Sequence, residues 1–133
     1  MPAYTWDEIP DEPVRPGVRR RAFGTRDAML VMNHCEPGMD VRPHTHEFDQ
    51  IAMIVKGRAV YHIGDEANDV GPGSVMLIPA HVEHYIEPVG DETVENIDLF
   101  APARDDYLHL LEWMPSGSVK LANAWCRKIG CLP

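Results

Sequence analysis

The chain has 133 residues, 44% hydrophobic and 25% charged, with 12 prolines and 10 glycines. That length fits one domain with its own core, and so much proline and glycine favours short strands and tight turns over long helices. The formal net charge of −9 argues against a nucleic-acid footprint, which needs clustered Lys and Arg, and no stretch approaches the roughly 20 apolar residues of a membrane-spanning helix.

Residues 1–17 read as an irregular arm rich in proline and acid, without the apolar core of a signal peptide. Cys35, Cys126 and Cys131 are an odd number without zinc-site spacing, so buried or free thiols and a cytoplasmic location are expected. Arg15, Arg19, Arg20, Arg21 and Arg26 form the one basic cluster. It reads as the solvated face of an early strand, or as a patch that meets a partner's acidic surface.

From Val18 onward the chain breaks into short strand-like runs: 18–24, 28–35, 40–46, 49–55, 58–64, 68–71, 74–80, 83–89 and 93–102. The turns fall at Glu36-Pro37-Gly38, Lys56-Gly57, Gly64-Asp65, Gly71-Pro72-Gly73 and Gly90-Asp91. This spacing predicts an all-β sandwich or barrel over 18–104. Residues 105–133 read as a helical extension. Its first helix, over 105–114, has Asp105 as N-cap and Tyr107, Leu108, Leu111 and Met114 on one face, and is stopped by Pro115. A second, over 118–130, aligns Val119, Ala122, Trp125, Cys126 and Ile129 ahead of Gly130. Such an amphipathic tail is expected to pack on the barrel or on a second subunit.

The stretch "GMDVRPHTHEFDQIAMIVKG" concentrates the chemistry. Side chains two apart on an extended segment share a face, so His44 and His46 point the same way. Gln50 opens the next strand, on the face of Ala52 and Ile54. A third imidazole would complete a small metal site, and His84 in "GSVMLIPAHVEH" is the natural source. His34 and His62 can line a pocket or face solvent. His81 sits in a turn, where histidine tolerates a left-handed backbone, and His109 reads as structural.

These two stretches resemble the two motifs of the cupin family. Gly38, five residues, His44-x-His46, three residues, Gln50, six residues and Gly57 match the first; Gly73, five residues, Pro79 and His84 match the second. The resemblance spans roughly 18–102 and implies a cupin double-stranded β-helix, a jelly-roll barrel. It also implies one divalent transition metal (zinc, iron, nickel, manganese or cobalt) held by His44, His46, Gln50 and His84. The first motif usually has glutamate where this chain has Gln50. A neutral amide beside three neutral imidazoles leaves the metal its full charge, which strengthens a Lewis acid and hinders oxidation of iron.

"ENIDLFAPARDDYL" is the other informative run. Either Ile97 and Leu99 are core, with Asp98 outward and Arg104 in a surface ion pair, or Asp98 and Phe100 face a pocket as acid/base and apolar wall with Arg104 as anion anchor. The run Asp98-x-Phe100-x-Pro102-x-Arg104-Asp105 resembles the small pectin-degradation cupins that convert unsaturated uronates to their open-chain keto form. That resemblance implies Asp98, Phe100 and Arg104 as catalytic residues.

The sequence thus predicts a homodimeric metal enzyme of isomerase or lyase type acting on a small oxygen-rich acid. An iron dioxygenase, an aromatic polyketide cyclase with Met29, Met32, Met53 and Met76 in its lining, and a non-catalytic ligand-binding cupin are the alternatives. A small-molecule substrate is expected, with neither nucleic acid nor membrane as partner.

Overall fold

The computed structural model describes residues 3–115. The expected helix over 118–130, with Cys126 and Cys131, lies outside the described residues. Among those described there are nine strands: β1 (Glu12–Arg15), β2 (Val18–Gly24), β3 (Met29–Cys35), β4 (Gln50–Lys56), β5 (Arg58–Ile63), β6 (Glu66–Val70), β7 (Val75–Ile78), β8 (His84–Val89) and β9 (Val94–Phe100). All strand pairings are antiparallel. They form a six-stranded sheet in the order β1-β2-β3-β9-β4-β7 and a three-stranded sheet in the order β6-β5-β8. The result is a two-layered jelly roll. No helix among the described residues is long and apolar enough to cross a membrane.

Alternation along the strands builds the interior. On β4, Gln50, Ala52 and Ile54 are buried, while Ile51 and Val55 are exposed. The register carries this pattern across the large sheet: Ala22, Val31, Asp98, Ala52 and Met76 form one inward row, and Arg20, Asn33, Asn96 and Ile54 form the next. One apolar cluster between the sheets gathers Val18, Cys35, Ile54, Tyr61, Ile78 and Val94. A second gathers Ala22, Met29, Val31, Phe100, Leu110 and Leu111. Along β9, Val94 belongs to the first and Phe100 to the second, so Asn96 and Asp98 fall between two apolar plugs. Burying a Leu, Ile or Phe side chain stabilises by about 1.5–3 kcal/mol, so the two plugs carry the fold and the polar middle does not.

Gly57, which ends the first motif, joins β4 to β5 with φ +81°, and a Cβ there would meet Thr93 O and Val94 Cα at 3.0 Å. Both the backbone conformation and the close approach demand glycine.

Three segments depart from expectation. Residues 12–15, within the stretch expected as an irregular arm, pair with β2 as β1. Residues 40–46 form no strand. His44 alone makes a bridge, exchanging backbone hydrogen bonds of 3.1 and 3.0 Å with His84, because Pro43 has no N–H to extend a ladder. The expected helix over 105–114 is a 3-10 helix, Asp105–Leu111, with Arg104 rather than Asp105 at its N-cap position and no side-chain cap. Seven residues held by i→i+3 bonds suffice to seat Leu110 and Leu111 on the second cluster.

The ends of the described chain meet on β2. Trp113 Nε1 donates to Ala22 O at 3.0 Å, and Tyr4 packs edge-on to Trp113 at 5.1 Å. Arg21 donates to Trp6 O and Ile9 O at 2.8 and 3.1 Å.

Candidate metal centre

The bridge between His44 and His84 places the first motif against the start of β8, and His46 follows on the same side. The ring nitrogens of His44, His46 and His84 lie within 4.8 Å of one another. Each ring turns its Nδ1 onto a backbone carbonyl: His44 onto Arg42 O at 2.9 Å, His46 onto Phe48 O at 2.8 Å and His84 onto Val82 O at 2.9 Å. Nδ1 must then carry the proton, which leaves each Nε2 with a lone pair, the tautomer a metal needs. Burial depresses the His84 pKa to about 4, and burial also lowers that of His44. Both are therefore neutral at physiological pH.

Two observations test whether these residues fit a metal. His84 Nε2 is buried without a hydrogen-bond partner among the described residues. His46 Nε2 lies 2.8 Å from Gln50 Oε1, so with its proton committed to Phe48 O, lone pair faces lone pair. A shared cation answers both, since an orphaned buried acceptor and an acceptor–acceptor contact each cost energy without one. Three imidazole nitrogens and an amide oxygen suit a divalent transition metal. Gln50 is itself buried, with its amide nitrogen 3.4 Å from the Tyr61 hydroxyl.

Asp98 and Phe100 face inward, with Asp98 on the pocket wall. Asn33 and Asn96 each donate to the Asp98 carboxylate at 2.8 Å. Burial nevertheless raises its pKa to about 6, against the opposing pull of hydrogen bonds from Gln50, Asn96 and Asn33 and of the Arg104 charge. Phe100 belongs to the second apolar cluster and packs edge-on to His46 at 6.1 Å. Arg104 takes part of each reading left open by the sequence. It lines the pocket, yet its Nε and Nη2 donate to the Asp106 carboxylate at 3.0 and 2.7 Å.

Several residues around the site carry no motif signal. Phe48, outside the pocket wall, stacks on His46 at 4.6 Å and 11°. Tyr107, read from sequence as a helix-face residue, lies 3.8 Å beneath the Arg104 guanidinium. Asn96 follows from Asp98 by strand alternation, whereas Asn33 needs the β3–β9 register. The basic cluster corrects the sequence reading: Arg15 and Arg20 line the pocket, while Arg19 pairs with Asp11 and Arg21 holds the N-terminal backbone. Met29, Met32, Met53 and Met76 do not line it. His34 takes a hydrogen bond from Arg21 at 3.1 Å, and His62 stacks on Tyr85 at 4.1 Å beside Glu87; neither is a pocket residue. His81, at φ 67°, hydrogen-bonds through its backbone to His46 O at 2.7 Å, and His109 pairs with Glu12 at 3.0 Å.

A small antiparallel jelly roll with a His-x-His pair, a glutamine and a later histidine gathered at one site defines a class of barrel proteins built to hold a metal. Comparison with known proteins agrees: the Cupin domain family matches residues 31–100, and the chain belongs to the cupin family. It is similar to the solved structure of KdgF from Halomonas sp., with 32% identity and a TM-score of 0.70 over 77% of this chain and 96% of that one. It also resembles the H2HPP isomerase of Bacillus subtilis, with 27% identity over 62% of this chain and 36% of that protein. Acireductone dioxygenase of Exiguobacterium sibiricum is 25% identical over 61% of this chain and 51% of that protein. The chain spans about half or less of the length of these two curated relatives.

Proposed function

We propose that the protein is a metal-dependent enzyme that isomerises a small anionic sugar acid of the unsaturated uronate type. The observation that carries this reading is the placement of Asp98, a carboxyl poised near neutrality, beside Gln50 of the histidine cluster in a pocket lined by four arginines: Arg15, Arg20, Arg42 and Arg104. The likeness to KdgF supports it. His44, His46, His84 and Gln50 would hold the cation, and when bound it supplies a Lewis acid for hydroxyl and carbonyl oxygens. Asp98 takes the proton of the sugar's anomeric hydroxyl as the bond from the anomeric carbon to the ring oxygen breaks, leaving an aldehyde and an enolate. It returns the proton to the enolate carbon next to the one that becomes the ketone carbonyl. Atoms balance and no redox partner is needed. A carboxyl with a pKa of about 6 suits both halves of that transfer. Phe100 packs against the reacting ring, and the arginine-lined wall attracts its carboxylate.

The pocket wall is arginine-rich, which disfavours a polycyclic aromatic substrate. The dioxygenase relative supports a second reading, and oxygen consumption separates it from the first. The test is to load the protein with zinc, manganese, nickel or iron and follow the ultraviolet absorbance of an unsaturated uronate's conjugated double bond. Loss of that absorbance without oxygen uptake is expected, abolished in Asp98→Asn, which keeps its metal. Oxygen uptake with an acidic enol substrate, or no turnover by any loaded form, would overturn the isomerase.

A further inference from the structure

We propose that Arg20 is a carboxylate-binding residue of this pocket, although it lies in neither metal motif and far from them in sequence. The inference rests on the reading of the pocket as a site for a small sugar acid and names the side chain that selects for the acid group.

Of the four lining arginines, three have their Nε hydrogen-bonded. Arg104 spends its fork on Asp106, with Nε and Nη2 at 3.0 and 2.7 Å from the two carboxylate oxygens. Arg15 donates through Nε to Asp40 O at 2.7 Å. Arg42 pairs with the Asp40 carboxylate through Nε and Nη2 at 2.9 and 2.8 Å. Arg20 differs. Its Nη2 reaches Glu12 Oε1 at a long 3.3 Å, and its Nε is buried without a hydrogen-bond partner among the described residues. Its side chain keeps 15% of its surface, so the charge is largely withdrawn from water and only lightly compensated. A buried guanidinium in that state costs stability unless something on the pocket side completes it.

The surroundings hold Arg20 in place. Glu12 on β1 takes Nη2, and the other Glu12 oxygen is taken by His109 Nε2 at 3.0 Å. The Tyr107 ring lies 4.4 Å from the guanidinium carbon. Strand pairing sets Arg20 opposite Asn33, and Asn33 opposite Asn96. Both asparagines hold Asp98. The free donor is therefore one residue row from the proposed proton carrier. Arg104 also stands over Tyr107, at 3.8 Å, so two guanidiniums converge on one ring, and of the four lining arginines Arg20 is the one whose Nε has no partner among the described residues. A planar carboxylate is the ligand such a donor suits.

The test uses zinc-loaded full-length protein and two probes, D-galacturonate and its uncharged methyl ester, titrated calorimetrically. The wild type should bind the acid at least about tenfold more tightly than the ester, the scale of one charge-assisted hydrogen bond. Arg20→Gln should erase that preference by weakening the acid alone, with zinc content still one per chain. Arg20→Lys, which keeps the charge but not the planar donor, should fall between the two and guards against a folding defect in the glutamine variant. If Arg20→Gln binds the acid as the wild type does, Arg20 has no such role and the proposed function stands. If the wild type binds acid and ester equally, no arginine reads the carboxylate. If it binds neither, this inference and the sugar-acid reading fall together.

Discussion

Asp98 shows how burial sets one side chain against stability. Its carboxyl is raised from 3.8 to about 6, chiefly by burial. A group whose native pKa lies above its unfolded value lends stability that is complete below the unfolded value and is lost as pH rises through the native one. In metal-free protein, the stability gap between wild type and Asp98→Asn should therefore shift toward the wild type by about 2 kcal/mol on going from about pH 7 to about pH 4. Histidine titration is common to both proteins and cancels in the comparison. Urea unfolding at each pH measures the gap, and a gap that does not move would mean that Asp98 titrates as an ordinary surface carboxylate. The candidate metal ligands make the complementary case. His44→Ala removes one of three converging nitrogens and should reduce tightly held metal from about one per chain to a small fraction, measured by elemental analysis. Retention of the metal would place it elsewhere.

At the scale of elements, the strands were legible because their alternation is clean. The run 18–24 returns as Val18–Gly24, and 28–35, 49–55 and 93–102 return within a few residues as β3, β4 and β9. The His-x-His pair, Gln50 and His84 were legible through spacing, since ligands from neighbouring strands meet only if turns and glycines fall in step. The 3-10 helix Asp105–Leu111 was misread because Tyr107, Leu108 and Leu111 satisfy helical spacing whichever helix forms. Arg20 was read as solvated because periodicity assigns a side chain to a face without saying which face is interior. The β2–β3 register supplies that answer. The helix has a measurable role: Leu111, 2% exposed, closes the second apolar cluster. Leu111→Ala should cost about 2–4 kcal/mol by chemical denaturation while leaving metal content intact. A metal loss of equal size would mean that the helix also braces the histidines.

For the whole molecule, the outer face of the large sheet is the open question. Two apolar rows cross it: Phe23, Leu30, Leu99, Ile51 and Leu77, then Met32, Ile97, Met53 and Val75. The Tyr4–Ile9 stretch packs at the β2 end, where Tyr4 meets Phe23 at 6.2 Å. The β4–β7 end is open, with Val75 72% and Leu77 60% exposed. We propose that the homodimer expected from the sequence forms on this end, because the exposed apolar side chains of Ile51, Val75 and Leu77 can meet their own copies across a two-fold axis. Leu77→Asp combined with Val75→Asp should convert a dimer to a monomer in size-exclusion chromatography with light scattering, and a wild type that is already monomeric ends that proposal. The histidines carry a different lesson. Their Nδ1 atoms rest on the carbonyls of residues 42, 48 and 82, groups that every amino acid supplies. Replacing those neighbours leaves the supports standing, so the pocket walls are free to drift, generation by generation, toward new substrates while the ligands keep their aim.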